Sequence, residues 1–295
     1  TDYNSIYGLS ITPRFHGKYR FNQEKTSLRM SAGMGRRTSN PLAQNQQVFA
    51  SGRTLILDMT NPNLAYGLEQ EVALNSGLSF EHEFRLLFMP ATIGLDYFNT
   101  TFLQEVVVDR ETEGVARFYN MKNGTRAHSF QTQLDLQPAR RTDIRIAYRM
   151  FDVQIKYQDL GTLAKPFIST HRAFINLTQK TRKDWQFSST ATWYGRQRIA
   201  GKFYPTVPIP PNINPIYNPY YIASPNFILW NAQISKTFKK QFEVYIGAEN
   251  LLNYKQENPI QEADKPFSSN FDAGLVWGPI FGRMIYGGFR LRLKS

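Results

Sequence analysis

Apolar and polar residues alternate along much of this chain. The alternation is clearest in four segments, at residues 127–137, 142–150, 185–188 and 285–293. Successive side chains of a strand point to opposite faces, so a period of two predicts strands with one apolar and one polar face. In the last segment, Phe289 and Leu291 fall on the apolar face, whereas Arg290 and Arg292 fall on the polar face.

The same pattern predicts eleven strands along the chain. They cover roughly residues 8–21, 25–35, 72–86, 91–108, 126–137, 142–157, 169–180, 185–198, 226–238, 241–254 and 271–293. The links between them alternate in length: those after Phe21, Leu86, Gln137, Lys180 and Phe238 have a few residues each, and the others are long and polar. Such alternation is typical of an antiparallel up-and-down barrel that crosses an outer membrane, with the short links on the periplasmic side.

Composition narrows the class further. The mean hydropathy of the 295 residues is −0.44, and no run of about 18 apolar residues could cross a bilayer as a helix, which excludes a helical membrane protein. Aromatic residues make up 14% of the chain, as girdles at two membrane interfaces would require. The chain has no cysteine, which excludes disulfides and thiolate chemistry within it.

The net charge of +12 raises the possibility of nucleic-acid binding. The basic residues are nevertheless dispersed, often at alternate strand positions such as Arg14, Lys18 and Arg20. That spacing predicts a charged barrel lumen and charged turns, and no nucleic-acid partner, with some contacts to lipopolysaccharide left open.

The number of predicted strands is odd. The first and last predicted strands both run toward the short links, which gives about eleven strands, whereas bacterial single-chain barrels have an even number. A β-sandwich would also alternate, but its polar face would not carry repeated Arg opposite aromatic-rich strands of about 10 residues. We therefore expect an open half of a 22-stranded transmembrane barrel.

Four motifs agree with this expectation. Residues 31–45 (SAGMGRRTSNPLAQN), 96–108 (DYFNTTFLQEVVV), 245–260 (YIGAENLLNYKQENPI) and 282–293 (GRMIYGGFRLRL) resemble, in the same order, strand and loop signatures of TonB-dependent outer-membrane receptors. The resemblance covers essentially the whole chain. The loops and the terminus are more similar to receptors of Bacteroidetes-type bacteria, since the chain ends in Leu293, Lys294 and Ser295 rather than in an aromatic residue.

The resemblance implies an active transporter in the bacterial outer membrane. Residues 1–295 would form the carboxyl-terminal part of the barrel, and an amino-terminal plug domain and the earlier strands would lie outside this chain. The family takes up a scarce ligand, such as a ferric siderophore, haem or cobalamin, with energy from the TonB–ExbB–ExbD system, which acts on the plug and its TonB box. The alternative is a passive porin, or another barrel such as a secretion-complex subunit.

Two groups of residues are candidates for ligand binding. Tyr204, Tyr217, Tyr220 and Tyr221 lie in a Pro-rich link at residues 201–226, where aromatic faces could stack on a siderophore, haem, a corrin or sugars. The alternative for this link is packing at the barrel rim.

Three arginines flank an early external link: Arg36, Arg37 and Arg53. Their planar donor forks suit an anionic ligand such as a metal chelate. They could equally pair with neighbouring carboxylates or lipopolysaccharide phosphates.

Catalysis and metal binding find little support. His16, His82, His128 and His171 are scattered without the spacing of a metal site. No Gly-x-Ser-x-Gly motif occurs, and the adjacent His128 and Ser129 would point to opposite strand faces. We expect neither an enzyme, nor a resident metal, nor a cofactor.

Overall fold

The computed structural model describes residues 1–203, 221–239 and 241–292, without the side chains of residues 202, 203 and 221. The described chain is dominated by one fourteen-stranded sheet, with two additional strand pairs outside it. The strands, in chain order, are β1 (Asp2–Asn4), β2 (Gly8–Ser10), β3 (Arg14–Phe21), β4 (Thr26–Arg37), β5 (Thr54–Leu57), β6 (Glu71–Leu86), β7 (Met89–Asp109), β8 (Val115–Lys122), β9 (Arg126–Ala139), β10 (Thr142–Tyr157), β11 (Gly161–Ala164), β12 (His171–Lys180), β13 (Trp185–Tyr194), β14 (Arg198–Phe203), β15 (Tyr221–Ala223), β16 (Phe227–Phe238), β17 (Phe242–Glu249) and β18 (Met284–Leu291).

Eleven of these strands form one antiparallel meander, in the order β3-β4-β6-β7-β9-β10-β12-β13-β16-β17-β18. Each pairs with the next along the chain, which confirms the predicted all-β, up-and-down architecture and its eleven membrane strands. Within the described residues, β3 and β18 do not pair with each other, so this sheet is an open part of a barrel.

Four predicted strands differ from the structure by four residues or more at one end, among them the strand predicted at 241–254, which ends at Glu249. The first predicted strand begins at residue 8, but residues 8–10 belong to the separate β1–β2 hairpin and the barrel strand begins at Arg14. The predicted strand at 185–198 ends at Tyr194. The last strand, predicted at 271–293, covers only Met284–Leu291. Before it, Gln256 Oε1 accepts hydrogen bonds from the backbone N–H groups of Trp277 and Gly278 at 2.8 and 3.0 Å, so these groups do not pair with a strand.

The two faces of the sheet have the predicted contrast. One face exposes apolar side chains. Four examples are 42 to 59% exposed: Ile146, Ile175, Trp230 and Ile246. The other face is polar and carries cross-strand ion pairs. Arg145 Nε donates to Asp135 Oδ1 at 2.5 Å, and Arg290 Nη1 donates to Glu243 Oε2 at 3.0 Å. Arg290 thus lies on the polar face, as predicted.

Aromatic side chains mark both ends of the apolar face. On β13, Trp185 and Trp193 lie on this face at opposite ends of the strand. Near Trp193, the Tyr148 hydroxyl lies 2.8 Å from Nδ1 of His171. Amphipathic rings at these two levels match the girdles that transmembrane barrels place at the membrane interfaces.

Glycines make room for aromatic rings on the polar face. A Cβ at Gly247 would lie 2.4 Å from Cζ of Tyr286, and one at Gly288 would lie 2.6 Å from the hydroxyl of Tyr245. Real Cβ atoms do not approach other atoms so closely, so each tyrosine ring covers a cross-strand glycine. These pairs set the local register of β17 and β18.

Short links join the strands at one end of the sheet. Their lengths match the prediction. Leu87 and Phe88 make the turn after Leu86, whereas the turn predicted to follow Gln137 is made by Arg140 and Arg141, because β9 continues to Ala139. Leu87 and Phe88 have φ of 46° and 68°, a conformation that two-residue hairpins require and that Asn and Gly adopt more readily. Both side chains are largely exposed, at 78% and 95%.

Five long links lie at the other end of the sheet. We name them L1 (residues 38–70), L2 (110–125), L3 (158–170), L4 (195–226) and L5 (250–283). L1 contains a short α-helix, Pro41–Gln44, which Asn40 caps through a bond from the Ala43 N–H, and the 3₁₀ turns Gln46–Ala50 and Ala65–Gly67. None of the helices in the described parts of the chain has the length and apolar character that a membrane crossing requires.

The core of the described chain lies at the long-link end of the sheet, where strand ends and long links pack together. β5 of L1 pairs in parallel with β8 of L2, which itself pairs with the end of β7. Beneath this pair, Val48, Leu68, Val106, Ala116 and Phe118 form one buried cluster. The links thus pack on each other as a folded layer, and sequence reasoning treated them only as polar loops.

Candidate ligand-binding site

A cavity of about 500 Å³ lies where the polar face of the sheet meets the long links. Its charged lining residues are Arg37, Glu71, Glu105, Arg110 and Lys165. Apolar and aromatic side chains from β7, β10 and L3 complete the wall: Phe102, Val107, Phe151, Ile155, Tyr157 and Phe167. Mixed charges on an apolar wall are typical of a binding pocket.

Arg37 is the predicted site residue that lines this cavity. Its Nε donates to Glu71 Oε2 at 2.7 Å, and Nη2 contacts the same oxygen. The Arg37 side chain is 61% exposed while that of Glu71 is 10% exposed. The pair therefore presents a guanidinium with unused donors to the cavity, held in place from below by a carboxylate.

Glu105 is the second buried carboxylate of the cavity. The residue is 7% exposed, and its Oε1 has no hydrogen-bond partner within the described chain. A Cβ at Gly124 would lie 2.5 Å from this oxygen, so the glycine leaves space for the carboxylate. A buried acceptor without a partner costs free energy, which makes Glu105 a ready acceptor for a donor group of a ligand.

Arg198 ties L4 to L2 and L3. Its guanidinium makes a bidentate contact with Glu111, at 2.8 Å from Nη1 to Oε2 and 2.6 Å from Nη2 to Oε1, and both side chains are 1% exposed. Nε donates to the Ala164 carbonyl at 2.6 Å, and Nη2 lies 3.3 Å from the Tyr157 hydroxyl. The Glu111 carboxylate also accepts from Gly201 N at 3.0 Å.

Arg53, another predicted site residue, ties L1 to L2 and L5. Its Nε donates to Asp272 Oδ2 at 2.7 Å, and its Nη1 donates to the carbonyls of Arg110, Thr112 and Val115. The side chains of Arg53 and Asp272 are 6% and 4% exposed. Together, Arg53 and Arg198 connect all five long links.

Arg110 lies between these two ion pairs. Burial lowers its pKa, an effect that Asp272 opposes and the neighbouring Arg53 reinforces. Its guanidinium carbon lies 5.1 Å from the ring centroid of Phe167, on the cavity wall. This cation is thus held in a desolvated position where it would interact strongly with an anion.

A group of stacked aromatic rings lies between L4 and L5. Phe227 stacks on Tyr194 at 4.8 Å and on Tyr254 at 4.9 Å between ring centroids, and Trp277 meets Phe227 at 5.9 Å. Arg172 closes one end of the stack: its guanidinium carbon lies 4.4 Å from the Tyr194 centroid, and its Nη2 donates to the Tyr194 hydroxyl at 2.8 Å. The group presents a flat, partly wet surface beside a cation.

The structure does not bring the predicted arginines together. Arg36 and Arg37 are adjacent on β4 and so point to opposite faces, with Arg36 exposed on the apolar face. Arg53 is buried within the layer of links. Tyr204, Tyr217 and Tyr220 lie outside the described residues, and Tyr221 begins β15, where its neighbour Ile222 lines a hollow of about 850 Å³ between L4 and L5.

The histidines belong mainly to the apolar face. His82 contacts the Thr26 hydroxyl at 2.8 Å, and His128 contacts the Tyr97 hydroxyl at 2.9 Å. Within the described residues, no group of three or more His, Cys, Asp or Glu side chains could hold a metal ion.

Sequence reasoning missed several residues of the site. Glu71, Glu105, Glu111, Arg172 and Arg198 are separated along the chain, and no spacing rule connects them. The stacked aromatics Phe227 and Tyr254 stand at the ends of predicted strands, which is the one signal that could have found them.

Comparison with known proteins agrees with this architecture. A family model described as "TonB dependent receptor-like, beta-barrel" matches residues 1–251. The chain belongs to this family of outer-membrane transporters, which are not enzymes. No curated protein gives a significant match.

Several solved structures share the fold. The ferric enterobactin receptor PfeA of Pseudomonas aeruginosa is 16% identical, with a TM-score of 0.66 over 97% of this chain and 41% of that one. The copper transporter OprC is 13% identical, with a TM-score of 0.64 over 94% of this chain and 38% of that one. The FrpB iron transporter of Neisseria meningitidis is 10% identical, with a TM-score of 0.60 over 95% of this chain and 39% of that one. The chain thus spans about two fifths of the length of these structures.

Proposed function

We propose that the complete protein takes up a scarce ligand of the ferric siderophore, haem or cobalamin kind across the bacterial outer membrane. Energy would come from the TonB–ExbB–ExbD system, acting on a plug domain that residues 1–295 do not include. The family match supports this proposal, as do structural neighbours that are described as a ferric enterobactin receptor, a copper transporter and an iron transporter.

One observation carries the proposal beyond family membership. Arg53 and Arg198 join the five long links into one layer, and the cavity opens beneath it at the end of the polar face. A receptor needs such a fixed surface to select its ligand before transport. A passive porin, the alternative, needs a water-filled path through the barrel instead.

We infer that the ligand is an anionic chelate with planar groups. Arg37, Arg110 and Lys165 line the cavity, and Arg172 stands beside the aromatic stack. Guanidinium groups bind carboxylates and catecholates through two parallel bonds, while Tyr254 and Trp277 offer ring faces for stacking.

Uptake in cells tests the transport step. A deletion strain that carries the complete gene on a plasmid should accumulate radiolabelled iron supplied as a ferric chelate. This uptake should stop when the proton gradient is collapsed or TonB is removed. Uptake that continues without TonB and without the gradient would show a passive channel.

Binding by purified protein tests the site. Arg172→Gln should weaken binding of the ferric chelate by about tenfold, because a charge-assisted hydrogen bond contributes about 1.5 kcal/mol or more. Arg145→Gln is the matched control, since Arg145 lies on the same polar face but pairs with Asp135. Equal affinity of both variants and the wild type would remove Arg172 from the site.

The Pro-rich link remains a separate prediction. Alanine at Tyr217, Tyr220 or Tyr221 should each weaken binding by about 1 kcal/mol while the barrel still assembles. Unchanged affinity in all three variants would leave the link a purely structural role.

A further inference from the structure

The short links carry a concentrated positive charge. Residues 22–25, 87–88, 140–141, 181–184 and 239–241 together contain seven Lys or Arg and two Asp or Glu. We name seven described cations at this end of the sheet the basic collar: Lys25, Arg140, Arg141, Arg182, Lys183, Lys236 and Lys239. Within the described residues, no member of the basic collar forms an ion pair.

The long-link end has a different charge pattern. There, Arg53, Arg117 and Arg198 each pair with a carboxylate within 2.7 Å. The short links contain two carboxylates, Glu24 and Asp184. Glu24 Oε2 lies 3.6 Å from Nη1 of Arg20, which is not a member of the basic collar, so only Asp184 remains. By sequence, L1 to L5 together contain eleven Lys or Arg and nine Asp or Glu, so the charges of the long links nearly balance, whereas those of the short links do not.

Lys236 shows where the basic collar meets the membrane. It lies on the apolar face of β16, in register with Trp185. Its ammonium nitrogen lies 5.5 Å from the Trp185 ring centroid and 5.7 Å from that of Phe238, and it donates to the Lys183 carbonyl. A lysine that runs along lipid-facing rings toward a turn places its charge at the level of the headgroups.

The turn of Leu87 and Phe88 also indicates that the short links lie at the depth of the headgroups. It is the one apolar turn among the five short links, and both side chains are exposed beside the apolar face. Large apolar side chains at such a position are favourable inside the interfacial zone and unfavourable in bulk water. The short links therefore end within the headgroup region.

We propose that the basic collar binds the phosphate groups of anionic phospholipids in the leaflet on the short-link side. Cations that form no ion pair and lie at headgroup depth are complementary to phosphatidylglycerol or cardiolipin, and each such cation strengthens binding to an anionic surface by up to about fivefold. The proposal rests on the membrane orientation of the proposed function and not on its ligand. It would fix the depth and tilt of the barrel in the inner leaflet.

Lipid competition on the complete protein tests the basic collar. The purified protein is equilibrated with mixed micelles of phosphatidylglycerol and phosphatidylcholine in equal amounts, and the lipids that remain bound are counted by native mass spectrometry. We expect phosphatidylglycerol to exceed phosphatidylcholine by at least about fivefold, and salt of about 0.5 M to reduce this preference by screening.

Two matched triple variants identify the cations responsible. Arg182→Gln, Lys183→Gln and Lys236→Gln together should lower the preference for phosphatidylglycerol by at least about fivefold, the contribution of one such cation. Lys18→Gln, Arg29→Gln and Arg149→Gln remove the same charge from the polar face, which lipid does not reach, and should keep the wild-type preference. Heat-dependent migration in gels reports folding of each variant, and Lys236→Gln alone serves if the triple variant does not fold.

Three results would overturn the proposal: no preference in the wild type, an unchanged preference in the basic-collar triple variant, or an equal loss in the polar-face triple variant. Retention of an acidic periplasmic protein instead of phospholipid would assign the basic collar to a protein partner and would also overturn it. Ligand binding by the same samples is measured in parallel. Failure of the proposed transport function would appear there, independently of the lipid result.

Discussion

Breaking the buried pair between Glu111 and Arg198 should loosen the layer of long links without disturbing the barrel. In Glu111→Gln the volume is kept, but one carboxylate oxygen becomes an amide that faces the guanidinium. Arg198 then remains buried, at 1% exposure, and has lost the negative charge of its ion-pair partner. Removing one partner of a buried ion pair typically costs about 3–5 kcal/mol.

Hydrogen exchange measures this change locally. A loss of about 3–5 kcal/mol raises the population of the open layer, and with it the exchange rate of protected amides in L2, by about 10² to 10³-fold or more. The amides of β9 and β10 near the short links should keep their protection, because their hydrogen bonds belong to the sheet. The measurement thus separates opening of the layer from unfolding of the barrel.

Two control variants test whether the buried charge of Arg198 causes the loss of protection. Asp135→Asn breaks an ion pair with Arg145 whose side chains are 34% and 51% exposed, and should cost about 1 kcal/mol or less. The double variant Glu111→Leu with Arg198→Met removes both buried charges and should recover most of the lost protection. Unchanged exchange of L2 in Glu111→Gln would refute the role of this ion pair as a tie between the links.

Three further predictions concern register, proton binding and orientation. Gly247→Ala should destabilise the barrel by about 1–3 kcal/mol in urea, because the new Cβ meets the Tyr286 ring, whereas Gly35→Ala has nothing within 4 Å and should be neutral. Burial raises the pKa of Tyr119, so the unfolded chain releases this proton first as pH rises. The contribution of Tyr119 to the stability of the layer should therefore be constant below about pH 10 and fall above it, and a phenol that titrates at its ordinary pKa in the folded protein would contradict this. A spin label at position 290 should be shielded from lipid-soluble relaxation agents, and strong relaxation there would mean that the polar face of β18 had been assigned wrongly.

The barrel strands could be predicted because their signal is local. A membrane strand needs a lipid-facing side chain at every second position, so the period of two in residues 127–137 or 142–150 identified both the strand and its faces. The prediction overextended the last strand because residues 275–277 are apolar for another reason. Leu275 is buried within L5, and Gln256 rather than a neighbouring strand binds the backbone at Trp277.

The layer of long links could not be predicted in this way. Glu111 and Arg198 are 87 residues apart, and Arg53 and Asp272 are 219 residues apart, so their pairing depends on how the whole sheet is assembled. Sequence reasoning selected Arg37 and Arg53 as candidates beside an early long link, but could not tell an arginine that lines a cavity from one buried as a structural tie. The difference lies in their partners, which no local pattern reveals.

The two tryptophans of β13 also define a length. Trp185 and Trp193 are eight residues apart on one face, about 26 Å along a strand and about 20 Å of height once the strand is tilted by about 40°. A bilayer with a thicker hydrocarbon region would bury both indoles too deeply, and the surrounding acyl chains would have to compress to meet them. This protein should therefore thin the membrane around itself, and insert faster into short-chain than into long-chain lipid.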